Sequence, residues 1–188
     1  MCRGLSTWKW ASNEDNLEPD VVLGCAGDIP TLETVAAAWW LRKHIPELKV
    51  RVVNVVDLMS LYPAFFHPHG LDEATFIEHF TVDKPVVFAF HGYQRAIHEI
   101  IHGRSNVSRF HVRGFMEEGT TTTPFDMVVR NGMSRYHLCI EALKRAQRVK
   151  NLAPELIAEC EDILVRHESY VRQNLQDMPE VRDWVWSD

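Results

Sequence analysis

The stretch Val21–Ala38, VVLGCAGDIPTLETVAAA, decides the fold, because a strand, a glycine turn and a helix start follow one another without a break. Val21, Val22 and Leu23 make a short apolar run suited to a strand buried on both faces, and Gly24 and Gly27 let the backbone turn where a Cβ would obstruct it. Asp28 can accept from free backbone N–H groups, Pro30 suits a first turn that needs no donor, and Glu33 complements the positive end of the helix dipole. This is the opening of a βα unit. Apolar residues at helical spacing then run from Leu32 to Ile45, and Pro46 stops the helix.

Outward from that unit the alternation continues. Val50–Val56 (VRVVNVV) reads as the next strand, parallel to the first by the right-handed crossover rule, and Asp57 at its end reads as a helix or loop cap. Lys84–Phe90 (KPVVFAF) is a third buried strand and Phe110–Phe115 (FHVRGF) a fourth. Upstream, Leu5–Trp10 (LSTWKW) alternates as a short strand, expected to pair antiparallel with the strand that follows it, at the sheet's edge. A strand so close to Met1 implies a truncated beginning. A helix is expected from Phe125 to about Val149 with Gly132 as its weak spot, and another over Pro154–Asn174. Trp184 and Trp186 then need a docking surface, one that another domain would supply. The expected architecture is α/β: a three-layer mixed sheet, mostly parallel with one antiparallel edge strand. The chain reads as a single domain over 1–188, with edge strand and linker over 1–20, an α/β core over 21–150, and a C-terminal helix and tail over 151–188.

Composition narrows the function classes. With 188 residues and a net charge of −6, the chain has no run of Lys and Arg to meet a phosphate backbone, so no nucleic-acid partner is expected. No apolar stretch nears the roughly twenty residues that span a bilayer, and no basic-then-apolar leader precedes the first strand; a cytoplasmic protein without membrane contact is the expectation. Cys2, Cys25, Cys139 and Cys160 form no CxxC and read as free, mostly buried thiols. No G-x-S-x-G and no G-x-G-x-x-G occurs, which sets aside a serine hydrolase of that type and a dinucleotide fold.

Residues able to carry chemistry gather in loops after strands. Tyr62–Gly70 (YPAFFHPHG) holds His67 and His69 in a backbone fixed by two prolines, and reads as an ordered loop touching another domain. His91 follows the third strand, and Arg113 sits at the end of the fourth, where it can pair with a phosphate or a carboxylate. Thr120 to Thr123 precede Pro124; Thr123 reads as the hydroxyl cap of the next helix, and Glu117 and Glu118 beside the threonines disfavour an anion. His98-Glu99-Ile100-Ile101-His102 spells H-E-x-x-H, the string of zinc hydrolases. A third ligand at the expected spacing is absent, Ser105 and Ser108 standing there instead, and His98, Glu99 and His102 read as the outer face of an amphipathic helix whose inner face is Ile97, Ile100 and Ile101, so metal is rejected at His98 and His102.

The strings GCAGDIPTLET, VRVVNVVDLM, HPHGL, KPVVFAFHGY, HVRGF and EEGTTTTPFDMVVRN, in this order, closely resemble the C-terminal domain of phosphoketolases, from TWKWASN to DMPEVRDW. The resemblance implies a transketolase C-terminal-like fold. It further implies that the full-length enzyme uses thiamine diphosphate and Mg2+ to convert xylulose 5-phosphate or fructose 6-phosphate, with phosphate, to acetyl phosphate and an aldose phosphate. The family's GDG metal motif does not occur here, so this chain by itself is expected to bind no cofactor, to hold no catalytic residue and to be inactive. Its implied partners are the N-terminal and middle domains of the same polypeptide, in a homodimer. His67, His69, His91, Arg113, Thr120 and Thr123 are then substrate-edge or interdomain candidates. The helix after FHGY, YQRAIHEIIHGR, departs from the family pattern. Two other classes stay open, a regulatory module binding a metabolite at the same edge and, more remotely, a zinc hydrolase.

Overall fold

The computed structural model describes residues 4–15, 17–116, 119 and 121–187. Five strands, β1 (Leu5–Thr7), β2 (Val21–Ala26), β3 (Val50–Val55), β4 (Val86–Phe90) and β5 (Phe110–Gly114), form one sheet in the order β1-β3-β2-β4-β5. The last four are parallel and β1 is antiparallel. Every residue of β2 is buried, as its unbroken apolar run requires of a central strand.

Helix α1 (Asp28–His44) carries the crossover from β2 to β3, while α2 (Glu73–Phe80) and α3 (Gln94–Ile100) carry those to β4 and β5. The chain steps one way from β2 to β3 and the opposite way afterwards. Right-handed crossovers therefore place α1 on one face and α2 and α3 on the other. Two apolar clusters follow. One packs Leu41, Trp40 and Ala38 of α1 with α4 (Pro124–Arg130), α5 (Arg135–Arg145) and α6 (Ala153–Asn174); the other packs Phe76, Phe80, Ile97 and Ile101 beneath the opposite face.

Several expectations are corrected. β1 pairs with β3, Leu5 opposite Val55 and Thr7 opposite Val53, and not with β2, both of whose edges are taken by parallel neighbours. The connecting loop continues along the same edge of β3, past the end of β1, with Trp8 N–H donating to Val52 O and Asn13 bonding Leu48 O and Val50 N–H through its side chain. The single helix expected from Phe125 to Val149 is two helices. Gly132, at φ +63, terminates α4, with its N–H donating to Val129 O and that of Met133 to Val128 O, so α5 restarts in a new direction. The end of the chain, α7 (Pro179–Arg182) and the residues after it, folds back on its own domain. Trp186 packs edge-on to Trp10, Trp184 edge-on to Trp39, and Trp39 Nε1 donates to Ser187 O, so this chain supplies its own surface for the two tryptophans.

Two helix starts are held by distant carboxylates. Glu33 on α1, read as a dipole residue, accepts from Arg135 N–H (2.7 Å), Nε (3.0 Å) and Nη2 (2.7 Å) at the start of α5, both side chains being buried. Asp177, also buried, accepts from Phe125 N–H (3.0 Å) and Asp126 N–H (3.3 Å) at the start of α4. Backbone donors unsatisfied inside α4 and α5 are thereby bonded to full charges.

Candidate functional site

The sheet has one topological switch point. β3 and β4 leave β2 on opposite sides, so a crevice opens beyond the carboxyl ends of β2 and β4. Gly27 lies there at φ +106, ψ 163, a conformation open essentially to glycine, and a Cβ on it would meet His91 Cβ at 2.7 Å. The close approach lets Asp28, at the start of α1, reach the loop after β4: Asp28 Oδ1 lies 3.1 Å from His91 Nδ1 and accepts from Ile29 N–H at 2.8 Å. Those two contacts, the Ile29 N–H first and His91 second, hold the Asp28 carboxyl below its ordinary range. The His91 ring sits edge-on to Phe115, whose N–H donates to Gly92 O.

A second histidine–aspartate pair stands after β3. Asp57 caps the following 3-10 turn by accepting from Met59 N–H (2.9 Å), and its other oxygen meets His69 Nδ1 at 2.7 Å. Burial pushes this carboxyl up, and the Met59 N–H and His69 together outweigh that, leaving it below the ordinary carboxylate range. His67 stacks on Tyr62 and accepts from His69 N–H through Nδ1 at 3.1 Å.

The other candidate residues lie apart from these pairs. Arg113 sits on β5 and bonds Glu141 of α5 at 2.7 Å, a carboxylate of its own chain. Thr123 precedes α4, but its hydroxyl does not cap the helix; it donates to Asp177, and Asp177 does the capping, because a full carboxylate reaches two amides at once. Thr122 donates to Asp126 at 2.6 Å. Thr120, Glu117 and Glu118 lie outside the described residues. Helix α3 ends at Ile100, so His98 and His102 do not share a helix face as the H-E-x-x-H reading requires. Among the described residues no three of His, Cys, Asp and Glu converge as a metal ligand set.

Among the described residues the three free thiols are buried. Burial pushes the Cys25 thiol up to about 11 and Cys139 well above its ordinary value, and Cys160 is fully buried. Ser134 bonds His137 Nδ1 at 2.7 Å, but its hydroxyl is sealed within the fold. Asp28, 84% exposed, stands at the start of α1 and already takes the Ile29 N–H.

A sequence model of the family described as XFP C-terminal domain matches residues 1–186. The chain belongs to this family. Its relatives include a probable phosphoketolase of Bradyrhizobium diazoefficiens, 55% identical over 184 residues, which cover 97% of this chain and 23% of that protein. Probable phosphoketolases of Brucella abortus and Chlorobaculum tepidum are 52% and 53% identical, over 23% and 24% of their lengths. The XFP C-terminal domain thus spans under a quarter of the curated relatives it matches. Among solved structures, transketolase from Campylobacter jejuni aligns at TM-score 0.52 and 18% identity, over 76% of this chain and 18% of that one. That likeness shows a common fold, a mixed sheet with one antiparallel edge strand.

Sequence reasoning missed Glu33, Arg135 and Asp177 as organising residues. It also missed Arg104, whose buried guanidinium donates to Leu61 O (3.0 Å), Tyr62 O (2.6 Å) and Glu73 (3.1 Å), and so fixes the His67–His69 loop. A lone arginine in a polar loop gave no local signal of this.

Proposed function

We propose that this chain is a single folded unit, the C-terminal domain of a thiamine diphosphate- and Mg2+-dependent phosphoketolase. The parent cleaves xylulose 5-phosphate or fructose 6-phosphate with phosphate to acetyl phosphate and a shorter aldose phosphate. It is a homodimer of the cytoplasm. The present domain acts as a structural and interdomain part, without catalytic residues of its own. One observation carries this reading: 97% of the chain is matched by proteins named probable phosphoketolase, yet it accounts for only 23% of their length. The position of the histidine–aspartate pairs fits it, since Asp28–His91 lies at the switch-point crevice and Asp57–His69 in the loop after β3, both at the surface. His67, His69 and His91 then line the side facing the rest of the polypeptide.

The test is acetyl phosphate formation from fructose 6-phosphate and phosphate, with thiamine diphosphate and magnesium, for this chain alone and mixed with separately made upstream domains of the Bradyrhizobium relative. Silence alone and activity only in the mixture are expected. Turnover by this chain alone, or equal turnover by the upstream domains with and without it, overturns the reading.

A further inference from the structure

The loop Tyr62–Gly70 presents two phenylalanines to water, Phe65 at 76% and Phe66 at 61% exposure, with ring centroids 4.2 Å apart. Single exposed apolar residues are ordinary on protein surfaces, so the pair alone means little. The way it is held means more. Arg104, its side chain 1% exposed, gives its guanidinium to the carbonyls of Leu61 and Tyr62 and lies 4.1 Å from the centroid of the Phe76 ring. A charge taken out of water is tolerated only when fully bonded, and here the bonding partners are the backbone at the base of the loop.

Further restraints act on the same segment. Pro63 bridges to Leu71, and a Cβ on Gly70 would strike the Tyr62 and Pro63 carbonyl oxygens at 2.6 Å. Gly103, in the turn after α3, leaves just enough room for the Phe66 ring, which a Cβ there would meet at 2.6 Å. The loop backbone and the Phe66 ring are therefore preset, with Phe65 resting on Phe66, and a partner meeting them loses less additional entropy than it would against a free loop. Beside Phe66 runs a cleft of about 410 Å³ lined by Met59, Tyr62, His67 and the buried Ile100, and by Glu99 and His102, both exposed. An apolar centre ringed by hydrogen-bonding groups is the anatomy of a protein-binding hot spot. The remnants of the H-E-x-x-H string, Glu99 and His102, thereby acquire a place as rim residues.

We propose that the Phe65–Phe66 knuckle and the cleft beside it form the contact by which this domain docks on the upstream domains of its own phosphoketolase polypeptide. The proposal rests on the function proposed above and names the surface that serves it. More than three quarters of each matched relative lies outside the region this chain covers, and that tethered polypeptide is present at the high effective concentration a linker confers. Preset apolar anchors of modest area suffice under those conditions, whereas a freely diffusing partner needs a larger surface.

The test is hydroxyl-radical footprinting of the free chain and of a chimaera in which it replaces the matching 184 residues of the Bradyrhizobium diazoefficiens relative. Oxidation of Phe65 and Phe66 should fall at least tenfold in the chimaera, with Val165, exposed on α6, unchanged. If both rings stay as reactive as in the free chain while another surface, such as that around Tyr93, is shielded, the knuckle is not the contact and the interdomain role stands. If no position is shielded, both fail. Shielding of the two rings that already develops in the free chain as its concentration rises, with a dimer in sedimentation, assigns the surface to a second copy and overturns the proposal.

Discussion

Replacing Glu33 by Ala removes the carboxylate that receives the Arg135 backbone N–H, Nε and Nη2, and it leaves a guanidinium buried between α1 and α5 with no counter-charge. Arg135 has nowhere to go. Its guanidinium lies about 5 Å from the ring centres of Phe125 (5.2 Å) and Trp184 (5.1 Å), and its Nη1 already has no hydrogen-bond partner. Breaking one side of a buried pair costs about 3–5 kcal/mol. For a chain of this size each kcal/mol moves the thermal midpoint by about 2–4 °C, so Glu33→Ala should lower it by roughly 6–20 °C in a calorimetric or circular-dichroism melt. Glu33→Gln keeps the volume and one acceptor and should fall between. The companion Glu33→Leu/Arg135→Met, which removes both charges, should recover most of the loss, since an apolar pair of similar volume is often as stable as the ion pair it replaces. A Glu33→Ala midpoint within about 2 °C of the parent, or a double variant no better than the single, would refute the claim that this pair locks α5 to α1.

Asp177→Ala should destabilise the chain by about 1.5–3 kcal/mol, read as a lower urea midpoint, because Thr123 and the first amides of α4 lose a charged acceptor. Loss of deuterium protection confined to α4 should accompany it. Gly27→Ala should cost about 1–3 kcal/mol, because φ +106 excludes a side chain and the new Cβ would collide with His91; an unchanged urea midpoint contradicts this crevice geometry. Burial above all, then the nearby Arg113 charge, pushes His137 from 6.5 down to about 4. The unfolded chain therefore binds the additional proton between those values, so stability is present above pH 6.5 and declines as pH falls toward 4. His137→Gln should flatten that part of the midpoint-versus-pH curve, and an identical slope in both proteins counts against it.

Much of the sheet could be read locally. The apolar runs at β2 and β4, the glycine turn before α1 and the alternation of strand and helix are signals that a residue shares with neighbours at most four positions away. The candidate site was legible only in part. Loops after strands mark where His67, His69 and His91 stand, but the pairing of His91 with Asp28 depends on β2 and β4 being neighbours, and that of His69 with Asp57 on how the loop after β3 folds back.

The same division runs through the molecule. By itself the sequence determined the parallel α/β core, the helix start at Pro124 and, through six strings in fixed order, the family. Only the tertiary structure decided that β1 lies against β3, that Gly132 ends a helix, and that the Trp184 and Trp186 rings close on Trp39 and Trp10. It also decided that carboxylates 102 and 52 residues away in the chain, Glu33 and Asp177, bond the starts of α5 and α4. The reason is physical. Propensity, period and turn chemistry act between residues close along the chain, whereas an orphan N–H or a buried guanidinium accepts any carboxylate that packing delivers, and its sequence position leaves no local trace.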